Sequence, residues 1–297
     1  MDRCESCRHI STCPVCGVSS LAFAHIGVRG TTSQFRVPLI GTKISYDSQR
    51  SGVWHYSRPC GHRIYPAAAY ANVKYNGGPL WGQGYAWQNV FWGTYYNTAQ
   101  SSTWIRRLQK ATLDIEADPS YSGGLAQYNV GIGKVLDKPI IVNVDPPAQL
   151  SDDQIKKTLT GWIQTGTVPD LAGKGAYNIF LPPNINASLG SDVSCRTFCD
   201  YHNTVNGSQG PFYTVEPYPC AQGCNQCTSD SFDTLTQGLS EEIVELKTDM
   251  DPGTGWVIGN EELCDFCDAN FVCNRIGTGE YVNSWYDKNK VACWKGH

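Results

Sequence analysis

The sequence predicts a mixed α/β domain over residues 72–297, preceded by a cysteine-rich segment of loops and short β runs over 1–71. Two observations carry the fold class. From Asn72 onward, short apolar runs ended by Gly or Pro alternate with segments whose apolar residues recur every three or four positions, the pattern of strands alternating with helices. Before Asn72, the runs Leu21-Ala22-Phe23, Phe35-Arg36-Val37 and Val53-Trp54-His55-Tyr56 are broken by Gly and Ser, and no helical period is sustained.

The elements follow in order. Gly77-Gly78-Pro79 is a turn. Val90-Phe91-Trp92 reads as a buried strand stopped by Gly93. Trp104, Leu108, Ala111 and Ile115 place a helix over 101–117. Ile140 to Val144 is a strand ended by Pro146-Pro147. Ser151-Asp152-Asp153-Gln154 is a capping box, in which the serine hydroxyl and the glutamine side chain satisfy orphan amides at a helix start. The helix it opens turns Ile155, Leu159, Trp162 and Ile163 inward and stops at Gly166. Tyr177 to Leu181, ended by Pro182-Pro183, and Phe212 to Glu216 are further strands.

The last long helix is amphipathic in an unusual way. Phe232, Leu235, Leu239, Ile243 and Leu246 form its apolar face. Glu241, Glu245 and Asp249 recur every four residues on a neighbouring stripe, with Glu242 between the two faces. Like charges at this spacing repel by a few tenths of a kcal/mol per pair. Water, a basic side chain or a cation must balance them, and Lys247 points elsewhere. The spacing is that of H-E-x-x-H, in which residues at i and i+4 hold zinc and the Glu at i+1 activates water. Here Glu241 and Glu245 take the ligand positions and Glu242 the base position. A set made only of carboxylates suits calcium, magnesium or manganese better than zinc.

A net charge of −4 gives no general reason to bind nucleic acid or an anionic membrane, and no apolar run approaches a membrane span. The 14 cysteines are too many for a chain of 297 residues that needs no staples for lack of core. Together with the sequons at Asn186 and Asn206 they predict an extracellular or cell-surface, disulfide-bonded glycoprotein. The opening Met1-Asp2-Arg3-Cys4 does not read as a signal peptide, and the route of export stays open. Cys4, Cys7, Cys13 and Cys16 form two C-x-x-C pairs that suit either disulfides or one tetrahedral zinc. Cys60 lies in the same segment. Nine cysteines cluster around the acidic helix: Cys195, Cys199, Cys220, Cys224, Cys227, Cys264, Cys267, Cys273 and Cys293. All 14 are expected in disulfides if the chain is secreted.

An ordered series of pieces over residues 73–294 resembles the EXORDIUM-like (phosphate-induced protein) family and its microbial secreted relatives. The pieces are Gly77-Gly78-Pro79, Phe91-Trp92-Gly93, Gln127-Tyr128-Asn129-Val130, the capping-box region at 146–154, Gly166-Thr167-Val168-Pro169 and Tyr177 to Pro183. They continue with Ser194-Cys195-x-x-Phe198-Cys199-x-Tyr201-His202-Asn203, Cys220 and Cys224, Ser240 to Asp249, Gly259-Asn260-Glu261-Glu262-x-Cys264-Asp265, and Trp285 with Cys293. Microbial members read S-H-E-L-x-E-A-x-T-D-P at the acidic helix. The resemblance implies a zinc-metallopeptidase-like α/β core in which a His, the second Glu and a later acidic residue hold metal. This chain departs at the decisive position, where Glu241 replaces the His, while Glu242 and Glu245 are kept. The later segment offers Glu261, Glu262 and Asp265. His202 is the one histidine in the matching core, a further candidate ligand. The N-terminal 71 residues match nothing in that pattern and are where an assembly or interaction role would lie.

Two functional expectations follow. In the first, the chain is a structural or interaction protein of the wall, matrix or surface. It associates with itself, a polysaccharide or another protein, and keeps a peptidase-like fold without its chemistry. In the second, it is a metal-dependent hydrolase using an E-E-x-x-E variant with Glu242 as base. Either accommodates one divalent cation, calcium or zinc, on the carboxylates of 241–265.

Overall fold

The computed structural model describes residues 72–219, 224, 228–268 and 273–296. The expected segment 1–71, with Cys4, Cys7, Cys13, Cys16 and Cys60, lies outside these residues, as do Cys220 and Cys227. In chain order the elements are β1 (Val73–Tyr75), β2 (Ala86–Trp92), α1 (Ala99–Ala117), β3 (Lys134–Val135), β4 (Ile140–Val142), β5 (Gln149–Ser151), α2 (Asp152–Gln164), β6 (Gly175–Phe180), β7 (Asn186–Leu189), β8 (Asp192–Val193), β9 (Tyr201–Thr204), β10 (Phe212–Glu216), α3 (Ser231–Thr248), β11 (Trp256–Ile258), α4 (Asp265–Asp268), β12 (Asn274–Arg275), β13 (Tyr281–Val282), β14 (Tyr286–Asp287) and β15 (Ala292–Cys293).

The mixed α/β class is observed. The central sheet runs β3-β2-β6-β10-β9, with β4 also on β2. Strands β2, β3, β4, β6 and β10 are mutually parallel, and β9 joins the edge of β10 antiparallel. The central strands β2, β6 and β10 are buried at every position, because helices cover both faces of a parallel sheet. Side chains alternate between those faces. Trp87, Phe91, Ala176, Phe180 and Phe212 pack with Leu108 and Ile115 of α1 and Leu239, Ile243 and Leu246 of α3. Val90, Trp92, Tyr177, Ile179, Tyr213 and Val215 pack with Ile155 and Leu159 of α2. The expected strand over 140–144 ends at Val142 and is an edge, with Ile141 and Val144 exposed.

The capping box at Ser151 forms as expected: its hydroxyl accepts from the Gln154 amide while Gln154 Oε1 accepts from the Ser151 amide. Helix α1 has an equivalent box between Thr98 and Ser101. Asp230 caps α3 by accepting from the amides of Phe232 and Asp233.

A row of polar side chains crosses the sheet on the α1/α3 side. Asn89, Asn178, Thr214 and His202 are paired neighbours on β2, β6, β10 and β9. Asn89 Nδ2 donates to Gln109 Oε1 (3.0 Å) and Thr112 Oγ1 (2.9 Å) of α1, and its Oδ1 accepts from Asn178 Nδ2 (2.8 Å). The Thr214 hydroxyl is shared between Asn178 Oδ1 (3.2 Å) and Glu216 Oε1 (2.9 Å). Buried amides cost little when every strong donor and acceptor finds a partner, and this row is paired in that way.

Disulfides Cys199–Cys224 and Cys267–Cys293 close loops with sequence separations of 25 and 26. By loop-closure entropy each contributes about 3–4 kcal/mol. Cys195 and Cys273 are also disulfide-bonded. Cys264, expected in a disulfide, is instead a thiol buried in the α1/α3 core. It is a member of the same buried cluster as the core residues of α1 and α3, and its position suits a small hydrophobe. No helix among the described residues is long and apolar enough to cross a membrane.

Candidate functional site

Helix α3 buries the apolar face that its period demands, but it buries the acidic stripe as well. Glu241, Glu242, Glu245 and Asp249 are 5%, 1%, 0% and 0% exposed. The cover comes from segments without periodicity. Asn283 donates from its backbone amide to Ser240 Oγ (2.8 Å) and from Nδ2 to Glu241 Oε2 (2.7 Å). Tyr121 Oη reaches the carbonyls of both Ser240 and Asn283. Lys247 leaves the stripe, as expected, and donates to Glu116 Oε1 at 2.8 Å in the core. Burial holds its ammonium pKa below the usual lysine value, and the Glu116 charge opposes that shift.

Strand β9 brings His202 to the same place. Its Nδ1 lies 3.1 Å from Glu242 Oε2, and its Nε2 lies 2.9 Å from the Asp249 carbonyl oxygen and 3.8 Å from Glu262 Oε1. The turn after β11 supplies Glu262, and α4 begins at Asp265, whose amide donates to Glu245 Oε1 at 3.3 Å. Two groups of candidate ligands result: His202 with Glu245 and Glu262, and Glu241 with Glu245 and Asp265. Within each, the donor atoms lie within 4.8 Å of one another. Glu245 belongs to both. Glu261 belongs to neither and is half-buried in a backbone-paired turn with Ile258. Glu242 also belongs to neither, since its carboxyl is turned to His202 and Asp200.

The electrostatics are those of too many carboxylates in one dry place. Burial, followed by the charges of Asp200, Glu245, Glu241 and Glu216, pushes Glu242 well above the usual carboxyl range. Burial and then the Asp200 charge do the same to Glu216. Asp200 is pushed up to about 6 by burial and the charge of Asp265, against a hydrogen bond from Glu242 that favours its ionised form. Asp249 is pushed up to about 8 by burial and by Glu262. Asp200, Glu216, Glu242 and Asp249 therefore hold their protons to a higher pH than solvated carboxyls do.

The donor chemistry fits a metal. Glu241, Glu245 and Asp265 form an all-oxygen set of the kind that suits calcium, magnesium or manganese, whereas His202, Glu245 and Glu262 form a mixed set that also suits zinc. Gln237, one turn before Glu241 on the same stripe, is 7% exposed, and its Oε1 accepts no hydrogen bond among the described residues.

No family model, curated protein or solved structure matches this chain. The site therefore stands on its own geometry.

Asp200, Glu216, Gln237 and Asn283 belong to this site and are not singled out by the motif. Period two offers part of the signal: Asp200 precedes His202 by two residues, and Thr214 precedes Glu216 by two, so each pair shares a sheet face. The sequons differ in access. Asn206 is exposed at a short turn, while Asn186 is half-buried on β7.

Proposed function

We propose that this chain is a secreted or surface, disulfide-bonded structural or interaction protein. In this reading its peptidase-like helix serves as a divalent-cation site rather than a hydrolytic centre. The likeness of residues 73–294 to EXORDIUM-like proteins and their peptidase-like relatives belongs to this proposal. The observation that carries it is the state of Glu242. At the position that would activate water it is 1% exposed, 3.1 Å from His202 Nδ1 and hydrogen-bonded to Asp200. A general base must reach the water it deprotonates, and this carboxyl is committed to two side chains. Glu241, Glu245 and Asp265 supply hard oxygen donors, and a bound cation would hold α3 to α4. The disulfides and the absence of a membrane-spanning helix among the described residues fit an extracellular setting.

A second reading, a metal-dependent hydrolase, is favoured by one observation: His202 gives Glu245 and Glu262 a mixed ligand set. The test is thermal melting of the intact protein with calcium, manganese, zinc or chelator, alongside hydrolysis of a peptide library. At a hundredfold excess over Kd, a cation should raise the melting temperature by about 5–10 °C. E242Q should keep that response, and no peptide should be cleaved. Metal-dependent cleavage abolished by E242Q would establish the hydrolase instead.

A further inference from the structure

We infer that the carboxyl end of the central sheet carries a binding surface for a neutral polysaccharide, made by Tyr95, Trp104 and Tyr218 with the Asp145 carboxylate beside them. This rests on the interaction-protein reading above and names the partner. The first argument is topological. Strand β2 leads into α1, which packs on one face of the sheet. The neighbouring β6 leads into β7, whose Ala187 and Leu189 join the layer of α2 on the other face. Where the chain leaves adjacent parallel strands towards opposite faces, open α/β sheets take their ligands at the carboxyl ends. Tyr95 follows the last residue of β2 by three positions, and Tyr218 follows that of β10 by two. Phe232, which touches this surface, is nine residues before Glu241 on α3, about 14 Å along the helix axis. The surface is thus separate from the acidic cluster.

The second argument is the chemistry of the rings. The centroids of Tyr95 and Tyr218 are 5.9 Å apart. Tyr218 and Trp104 stack at 5.7 Å, and the core residue Phe232 meets Trp104 edge-on at 5.7 Å. Tyr95 is 37% exposed, and Trp104 and Tyr218 are half-buried, so the row reaches solvent as one group anchored in the core. A pyranose ring has an apolar C–H face and a rim of hydroxyls. Tyrosine and tryptophan, with an apolar body and a polar handle, match both.

The third argument selects the partner. Asp145 Oδ1 accepts from the Thr94 amide at 2.7 Å and from its hydroxyl at 2.8 Å, and Thr94 directly precedes Tyr95. Those bonds hold the carboxyl below its usual range, and it lies exposed in its ionised form. An ionised carboxylate only accepts hydrogen bonds, and its remaining lone pairs call for donors. Sugar hydroxyls supply them. A proline-rich peptide, which also suits an aromatic surface, has few N–H groups to offer. An anionic polymer is disfavoured by the same carboxylate and by the net charge of −4. The exposed Arg107 keeps its guanidinium 3.7 Å over the Phe232 ring.

The experiment is retention of the intact chain on insoluble β-glucan and chitin, with polygalacturonate as the anionic control and a proline-rich peptide as competitor. The expected result is retention on a neutral polysaccharide that persists at high salt. It should weaken about tenfold or more in Y95A, weaken in D145N and persist in Y95F. All variants are to be checked for native circular dichroism. Equal retention in Y95A and D145N overturns this surface and leaves the interaction-protein reading standing. Displacement by the peptide, or a Y95A-sensitive dimer in place of glycan binding, gives the surface to a protein partner and overturns the inference in the same way. No retention on either neutral polysaccharide also overturns it, and the interaction-protein reading falls with it only if the peptide library is cleaved.

Discussion

Asp200 Oδ2 occupies the space that a side chain at Gly238 would need, so the buried carboxylate chain closes directly over the backbone of α3. Glycine in a helix interior costs about 1 kcal/mol relative to alanine. Its presence here is explained by that contact. Gly238→Ala should therefore destabilise the protein by about 1–3 kcal/mol, in spite of alanine's better helix propensity. In a double-mutant cycle followed by urea unfolding, adding Asp200→Ala should recover part of the loss. Additive effects would show that the two residues do not touch.

Glu116 and Lys247 form an ion pair in the core, with Lys247 fully buried and Glu116 3% exposed. Glu116 Oε2 also accepts from Trp87 Nε1 at 3.1 Å. Glu116→Gln strands a buried ammonium and should cost about 3–5 kcal/mol, whereas replacing both partners by apolar residues should cost much less. Chemical denaturation of the three variants measures the difference.

The raised carboxyls set a pH dependence with a definite sign. In the cation-free fold, Asp200 titrates at about 6 and Asp249 at about 8, both above their unfolded values near 4. Between those limits the folded state holds more protons than the unfolded one, so these groups favour folding at low pH and that contribution is lost as pH rises through 6 and then 8. A cation bound beside Asp200 and Asp249 favours their ionised forms, so its binding strengthens over the same window. Melting temperature in chelator should fall from pH 5 to 8.5, and the increment given by added cation should grow. Parallel curves with and without cation would show that no cation binds beside Asp200 and Asp249.

The Cys267–Cys293 disulfide ties α4, which begins at the ligand candidate Asp265, to the C-terminal strand β15. Replacing both cysteines by alanine should lower stability by about 3–4 kcal/mol. It should also weaken cation binding more than the corresponding change at Cys199–Cys224. Calorimetric titration of the two double variants distinguishes a local effect from a global one.

Most of the fold was legible where a period or a cap fixes it. Strand β10 and the α2 capping box stand where periodicity and spacing put them, and α1 begins two residues before the predicted start. The apolar face of α3 is the buried face. Its acidic stripe was not legible as buried, because the cover, Asn283 and its neighbours, has no period to read. Nor does one chain's order reveal that His202 reaches α3 through an antiparallel edge strand, or that Glu262 and Asp265 return from a turn to meet Glu245. Those meetings depend on tertiary pairing between residues about 20–60 apart, which local pattern does not encode. Cys264 was misassigned because a count of cysteines cannot separate a stapled one from one buried in the apolar core.

The row Asn89, Asn178, Thr214 and His202 has a consequence for how the sheet assembles. A slip of one residue in any of these parallel or antiparallel pairings turns that strand's polar member into the apolar α2 layer and brings an apolar neighbour into the row. Each mispaired alignment is thus penalised at several strands together, and the penalty falls on unmatched amides rather than on lost contact area. The row works as a checksum: the sheet closes with His202 facing α3 only when every strand before it has been read in the correct frame.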